Sequence, residues 1–192
     1  MLEYLAQFDL MFFIFVNVWL ANPVTDFIMP IITSDKLIVL TYIVCLAILL
    51  WKGDKQLRWM VLFSIIVVVL CDQTASSFLK KWICRPRPCH IMSDINLLVG
   101  CGAGWSMPSS HATNVFGQFF FFAFFYKRQA WILLIYAFLV AVSRVFVGVH
   151  YPGDILAGTL LGGIIGGVVA LGFKRFRKMF IPPSKAVPDR KH

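Results

Sequence analysis

The chain has 192 residues, of which 59% are hydrophobic and only 14% are charged. Because water-soluble domains have about 45–50% apolar and about 25% charged residues, this composition excludes an ordinary soluble protein and indicates a membrane protein. The formal net charge of +9 does not indicate nucleic-acid binding, since no nucleic-acid-binding fold accompanies the basic cluster near the C-terminus.

Long apolar runs follow one another along almost the whole chain. A helix needs about 20 such residues to cross a bilayer. The sequence predicts six of these spans, at 8–24, 37–51, 59–79, 111–126, 130–149 and 155–173. The first is interrupted by Asn17, Asn22 and Pro23. We therefore predict an all-α integral membrane protein, a six-transmembrane-helix bundle that forms one domain over 1–192.

The basic residues divide unequally between the two sides of this bundle. Six spans place both ends of the chain on one side. The cations on that side are Lys52, Lys55, Arg58, Lys127, Arg128, Lys174, Arg175, Arg177, Lys178, Lys185, Arg190 and Lys191. By the positive-inside rule this side is cytoplasmic, and the basic tail at about 174–192 is a topology signal that also contacts anionic lipid. The start, MLEYLAQFD, lacks the basic region of a signal peptide and is expected to remain in the mature protein.

Three polar segments reach the opposite, extracytoplasmic side. They are LKKWICRPRPCH at 79–90, WSMPSSHATN at 105–114 and SRVFVGVHYPGD at 143–154. Together they carry the cations Lys80, Arg85, Arg87 and Arg144, which oppose the positive-inside trend and therefore indicate an anionic substrate.

Other polar groups of these segments suit a phosphate. Ser109 and Ser110 precede His111 at a predicted helix N-terminus, whose free backbone N–H groups favour a phosphate. His150 and Asp154 are four residues apart. If the turn after His150 is helical, the carboxylate reaches the imidazole, fixes its tautomer and leaves the other ring nitrogen free to attack.

The spacing of these residues resembles that of the type 2 phosphatidic acid phosphatase superfamily. The three motifs are K-x6-R-P from Lys80 to Pro88, P-S-S-H from Pro108 to His111, and S-R-x5-H-x3-D from Ser143 to Asp154. The superfamily includes membrane lipid phosphatases and soluble vanadium haloperoxidases, and the predicted spans exclude the soluble branch. Ser110 departs from the glycine that is common at this place.

The resemblance implies a role for each matching residue. His150 would be the nucleophile that forms a phosphohistidine, oriented by Asp154. His111 would protonate the leaving oxygen and then activate water. The residues implied to hold the phosphate are Lys80, Arg87, Ser109 and Arg144, with Ser110 as a further donor. Because these fixed cations can replace the metal of other phosphoryl-transfer enzymes, and because the extracytoplasmic loops after the third span hold only two acids, we predict neither a metal nor a cofactor.

The predicted function is therefore hydrolysis of a phosphate or diphosphate ester of a membrane lipid, by an enzyme with its site at the extracytoplasmic interface. Candidate substrates are an isoprenoid diphosphate such as undecaprenyl diphosphate, phosphatidylglycerol phosphate, phosphatidate and a saccharolipid phosphate. The isoprenoid ranks first because the small chain has no headgroup-recognition domain. The alternatives are a lipid phosphotransferase and, more distantly, a transporter, which would need cations along a transmembrane path. The compact size favours a bacterial inner membrane, and the sequence predicts no oligomeric state.

Three cysteines, Cys84, Cys89 and Cys101, lie on the extracytoplasmic side, where one pair is free to form a disulfide. Zinc binding with His90 matches no familiar ligand spacing.

Two features within the spans also yield expectations. Asp72 shares a helix face with position 80 and is expected either to support Lys80 electrostatically or to make a polar contact within the bundle. The glycine-rich run at 158–167 indicates close helix packing, since no G-K-[ST] follows it as a nucleotide loop would require.

Overall fold

The computed structural model describes residues 2–180, and within them every regular element is a helix. The α-helices are α1 (Leu2–Ile14), α2 (Pro23–Ile32), α3 (Asp35–Lys52), α4 (Lys55–Asp72), α5 (Lys80–Ile83), α6 (Pro88–Ile91), α7 (Ser110–Ala123), α8 (Ala130–Phe146) and α9 (Pro152–Phe180). Two π-helical segments, Phe15–Trp19 and Gln73–Leu79, continue α1 and α4. The all-α prediction is confirmed over this range. The predicted tail cations Lys185, Arg190 and Lys191 lie outside the described residues.

Helix α7 lies at the centre of the bundle, packed against α9, α8 and α4. Glycines on one face of α9 make the closest of these contacts. A Cβ atom at Gly162 or Gly166 would collide with the backbone of α7 at Thr113 and Gly117. The prediction that the run at 158–167 serves close helix packing is therefore confirmed.

Large apolar side chains face outward along the bundle, as a bilayer requires. Trp51 is 78% exposed and Leu160 is 69% exposed. Among the described residues, the stretches Lys55–Ile91 and Pro152–Phe180 are long and apolar enough to cross a membrane, and the bent pair formed by α1 and α2 would be a third if it were one span. Helix α8 is apolar but shorter. These lengths support an integral membrane protein, whereas the count of six spans stays a prediction.

The N-terminal segment does not form the straight span predicted at 8–24. Its two helical parts, Glu3–Trp19 and Pro23–Ile32, meet at 113°. Asn22 begins a new helix, because its side chain accepts hydrogen bonds from two backbone N–H groups of the first turn of α2. Proline follows at the first helical position, where its fixed φ and missing N–H are tolerated.

The first of these parts contacts the end of the bundle where α8 ends and α9 begins. The backbone N–H of Gly153 donates to Asp9 Oδ1 at 2.6 Å. Asn17 is fully buried and donates to the carbonyl oxygens of Val145 at 3.2 Å and Phe146 at 2.8 Å. Because α9 runs from this end to the opposite one, α1 and the end of α9 lie at opposite ends of the bundle. A straight first span over 8–24 is therefore not formed, and the placement of both termini on one side stays a prediction.

The loop between α6 and α7 is closed by a disulfide bond between Cys89 and Cys101, while Cys84 is free and exposed. One pair among the three predicted cysteines is thus bridged. His90 lies beside both sulfurs, but bonded sulfurs are not the thiolates that bind zinc.

Candidate active site

His150 lies in the short connection between α8 and α9. Gly148 adopts a positive φ of 83° just before it, a conformation that suits glycine. The His150 side chain is buried, and its Nδ1 lies 3.2 Å from Asp154 Oδ2. The same carboxylate oxygen accepts the backbone N–H of Tyr151 at 2.9 Å. The predicted four-residue pairing is confirmed. It fixes Nδ1 as the donor and leaves the Nε2 lone pair free.

Arg87 lies directly beside that free nitrogen. Its Nη1 is 3.4 Å from His150 Nε2 and 3.3 Å from the carbonyl oxygen of Val149. Its Nε donates to the carbonyl oxygen of Gly104 at 3.2 Å. With only 9% of the residue exposed, these contacts hold the guanidinium against the nucleophile candidate, where it could bind the oxygens of a phosphate whose phosphorus faces Nε2.

The electrostatic surroundings keep His150 neutral. Burial lowers its pKa well below 6.5, and the positive charges of Arg87, Arg144 and Lys80 lower it further. Three cations, two from the segment at 79–90 and one from the segment at 143–154, therefore act on one imidazole.

Arg144 and Ser109 reach the site from helix ends. Arg144, in the last turn of α8, donates from Nη1 to Thr33 Oγ1 at 2.6 Å. Its Nε is buried and has no hydrogen-bond partner among the described residues. Ser109 caps α7 with its side chain, and its backbone N–H donates to the carbonyl oxygen of Asp154 at 3.0 Å. The first turns of α7 and α9 are thereby joined at the site.

Ser110 and Asp72 are linked through Ser76. The hydroxyls of Ser76 and Ser110 lie 2.9 Å apart, and Ser76 Oγ donates to Asp72 Oδ1 at 3.2 Å. The direct contact of Asp72 is thus a polar contact within the bundle, with no hydrogen bond to Lys80. The negative charge of Asp72 nevertheless acts on the charge of Lys80, so the expected electrostatic support is also present.

His111 has an acidic partner that the sequence reasoning missed. Its Nε2 lies 2.8 Å from Oδ1 of Asp35, the first residue of α3. The Asp35 side chain is 83% exposed. The available signal was its place beside Lys36 at the extracytoplasmic end of the predicted second span.

Asp9, which was not predicted, and Arg85, which was predicted only as one of the extracytoplasmic cations, also lie at the site. Arg85 donates from Nη1 to Asp154 Oδ1 at 2.8 Å and from Nη2 to Asp9 Oδ2 at 2.6 Å. Ser106 adds a longer contact, 3.4 Å, to the same oxygen of Asp154. Arg85 was visible as a second arginine in RPRP, but no local pattern marks Asp9.

Residues 57–178 match the family model of the PAP2 superfamily. The chain belongs to this superfamily. Among curated PAP2 relatives, it is 31% identical to a lipid A 4′-phosphatase of Bacteroides thetaiotaomicron over 86% of this chain and 77% of the relative. It is also 31% identical to the undecaprenyl-diphosphatase BcrC of Bacillus subtilis, over 83% of this chain and 80% of the relative.

A solved PAP2 structure supports the fold. The crystal structure of a transmembrane PAP2-type phosphatidylglycerolphosphate phosphatase from Bacillus subtilis superposes with a TM-score of 0.64 at 26% identity, covering 85% of this chain and 83% of that one. Asp9 and Asp35 both lie outside the residues that the family model matches.

Proposed function

We propose that this protein removes phosphate from a membrane lipid through a phosphohistidine on His150. The observation that carries the proposal is the geometry of that residue. Its imidazole is buried, its Nδ1 is paired with Asp154, and its Nε2 lies 3.4 Å from the Arg87 guanidinium. A fixed, neutral imidazole beside a cation is suited to attack an anionic phosphorus atom.

In the first step, His150 Nε2 forms a bond to phosphorus while the bond from phosphorus to the lipid oxygen breaks. The leaving oxygen takes a proton from His111. Arg87, Arg144, Lys80 and the first turn of α7 stabilise the negative charge on the remaining phosphoryl oxygens.

In the second step, His111 takes a proton from a water molecule, which attacks the phosphohistidine. The bond between nitrogen and phosphorus breaks, inorganic phosphate leaves, and His150 returns to its neutral form. Fixed cations stabilise the negative charge that Mg²⁺ stabilises in other enzymes. We therefore propose a metal-independent reaction that needs no cofactor.

Two substrate classes share support from the relatives. Proteins named for lipid A and for undecaprenyl diphosphate each have 31% identity with this chain. Both substrates join a phosphate to a long hydrocarbon part that remains in the bilayer, which fits the apolar outer surface of the bundle. The relatives therefore support a saccharolipid phosphate as well as the isoprenoid diphosphate, which the sequence analysis ranked first.

We further propose that the site faces the extracytoplasmic side of a bacterial inner membrane. The end of α9 opposite His150 is basic, and Arg177 there donates to Gln56 at 3.1 Å. Positive charge favours the cytoplasmic side. The disulfide of Cys89 and Cys101 at the other end fits an oxidising compartment. In this arrangement α3, α4, α7, α8 and α9 cross the membrane and α1 lies along its outer interface.

The test is phosphate release by the full chain in detergent from four lipids: lipid A, undecaprenyl diphosphate, phosphatidylglycerol phosphate and phosphatidate. We expect release from at least one lipid, survival of activity in EDTA and inhibition by vanadate, a mimic of the transferring phosphoryl group. Substrate labelled with ³²P should leave an acid-labile, base-stable label on the protein. His90 lies in α6, three residues after Arg87 but outside the site. The variant His90→Ala is therefore the matched control and should keep this label.

Three outcomes would contradict the proposal. Activity that EDTA abolishes and Mg²⁺ restores would refute the metal-free reaction. A phosphorylated acceptor lipid instead of free phosphate would make the protein a phosphotransferase. Turnover of none of the four lipids would refute the substrate classes and would return the transporter to consideration.

A further inference from the structure

One residue of the N-terminal helix reaches the catalytic machinery. Asp9 lies outside the residues 57–178 that define the superfamily match. Its Oδ1 accepts the backbone N–H of Gly153 and its Oδ2 accepts from Arg85 Nη2, both at 2.6 Å. The ring of Phe13, one turn later, packs on Tyr151 with centroids 5.4 Å apart. Helix α1 is thereby docked on Tyr151 and Gly153, two of the three residues between His150 and Asp154 in the sequence.

Arg85 extends this contact to the carboxylate that orients the nucleophile. Its Nη1 donates to Asp154 Oδ1 at 2.8 Å, and its guanidinium lies 4.0 Å from the ring centroid of Tyr151. Asp154 is fully buried and uses its other oxygen for His150 and the Tyr151 N–H. The contacts therefore form a chain from Asp9 through Arg85 and Asp154 to His150.

The three arginines of the site differ in their partners. Among the described residues, Arg85 makes salt bridges with two carboxylates, while Arg87 and Arg144 make none. An arginine without a carboxylate partner is free to bind a phosphate in a bidentate manner. An arginine clamped between two carboxylates is not, because a phosphate would have to displace one of them.

We propose that Asp9 and Arg85 are positioning residues for the nucleophile, and this proposal rests on the proposed function of His150. Arg85 holds the buried Asp154 carboxylate in register with His150. Asp9 holds Arg85 in turn, so that the guanidinium stays on Asp154 when an anionic substrate enters nearby. The N-terminal helix is thus part of the catalytic unit, although it lies outside the matched family region.

The competing explanation is that Asp9 only docks α1 on the bundle. Asp26 provides a matched control for this explanation, because its Oδ1 accepts from Asn96 Nδ2 at 2.8 Å. It anchors α2 to the same end of the bundle without touching Arg85 or Asp154. A purely structural role predicts the same behaviour for Asp9→Asn and Asp26→Asn.

The experiment measures kcat, KM, vanadate inhibition and thermal stability for full-chain variants in detergent, with the lipid that the wild-type chain hydrolyses fastest and with p-nitrophenyl phosphate. We expect Asp9→Asn and Arg85→Gln to lower kcat by about 10-fold to 10²-fold, since small misplacements of a reacting group cost this much. KM and vanadate inhibition should change by less than about 3-fold. Arg85→Lys should restore part of kcat, and the double variant should be no slower than Arg85→Gln alone, because Asp9 acts through Arg85.

Asp26→Asn should keep kcat and change only thermal stability. The proposal is overturned if Asp9→Asn behaves like Asp26→Asn. It is also overturned if Arg85→Gln raises KM and weakens vanadate binding as loss of a phosphate-binding arginine would. A wild-type chain that hydrolyses neither compound refutes the proposed function itself, which is a separate result.

Discussion

The site contains two histidines that each meet an aspartate, and the two pairs differ in burial. His150 and Asp154 belong to one continuous segment, and their side chains are 2% and 0% exposed. His111 and Asp35 come from different helices, and the Asp35 side chain is 83% exposed although the contact is only 2.8 Å long. The first pair is held by the protein interior, whereas the second is held at the solvent boundary.

This difference indicates how the two halves of the site operate. A buried carboxylate must keep its partners, because leaving it unpaired costs several kcal/mol. A contact to an exposed carboxylate such as that of Asp35 contributes little and is readily replaced by water. We therefore expect the proposed nucleophile, His150, to be in place before substrate binds, and the proposed acid, His111, to reach its working position only when substrate binds.

The largest expected effect is that of His150→Ala. Loss of the proposed nucleophile should abolish both turnover and the ³²P label, with the lipid and with p-nitrophenyl phosphate alike, because in the proposed mechanism every substrate is attacked by the same nitrogen. Rapid-quench labelling and phosphate release measure this. Near-normal release by the variant would assign the nucleophile elsewhere.

His111→Ala should discriminate between substrates. Lipid turnover should fall by about 10²-fold to 10⁴-fold, the usual contribution of general acid catalysis. Formation of the label from p-nitrophenyl phosphate should fall much less, because nitrophenolate leaves without a proton. Equal losses with the two compounds would show that His111 does not protonate the leaving group.

Substitution of each aspartate tests whether the two histidine–aspartate pairs differ in importance. Asp154→Asn should lower kcat by about 10²-fold to 10⁴-fold, since the amide disturbs the tautomer of His150. Asp35→Asn should lower kcat by less than about 10-fold, because its carboxylate is already solvated. Lys36→Ala, beside Asp35, serves as the control for local disturbance of α3. If Asp35→Asn were as damaging as Asp154→Asn, exposure would not distinguish the two pairs.

The smallest expected effect concerns pH and stability. The pKa of His150 is well below 6.5 in the folded protein because of burial and neighbouring cations. Below pH 6.5 the unfolded chain takes up a proton that folded His150 does not. The contribution to folding stability is therefore present above this pH and is lost as pH falls below it. The thermal midpoint of the wild type should drop more between pH 7.5 and 5.5 than that of His150→Gln, and equal drops would contradict a neutral His150.

The local part of the site was predictable from the sequence. His150 and Asp154 are four residues apart, and their pairing follows from this spacing because Asp154 lies in the first turn of α9, just after His150. The serine-rich start of α7 and the glycine packing of α9 also follow from short-range patterns. The prediction that Arg87 and Arg144 converge on His150 rested on the motif spacing and on the order of the predicted spans.

The contacts between residues far apart in the chain could not be predicted and depend on the tertiary structure. The break at Asn22 turns α1 toward the active-site end, so that Asp9 meets Gly153 and Arg85. Hydropathy identified an apolar segment there but carries no information about its direction. Asp35 reaches His111 through the packing of separate helices. Sequence patterns specify residues within a few turns of one another, whereas partners from separate helices are chosen by the packing of the whole bundle.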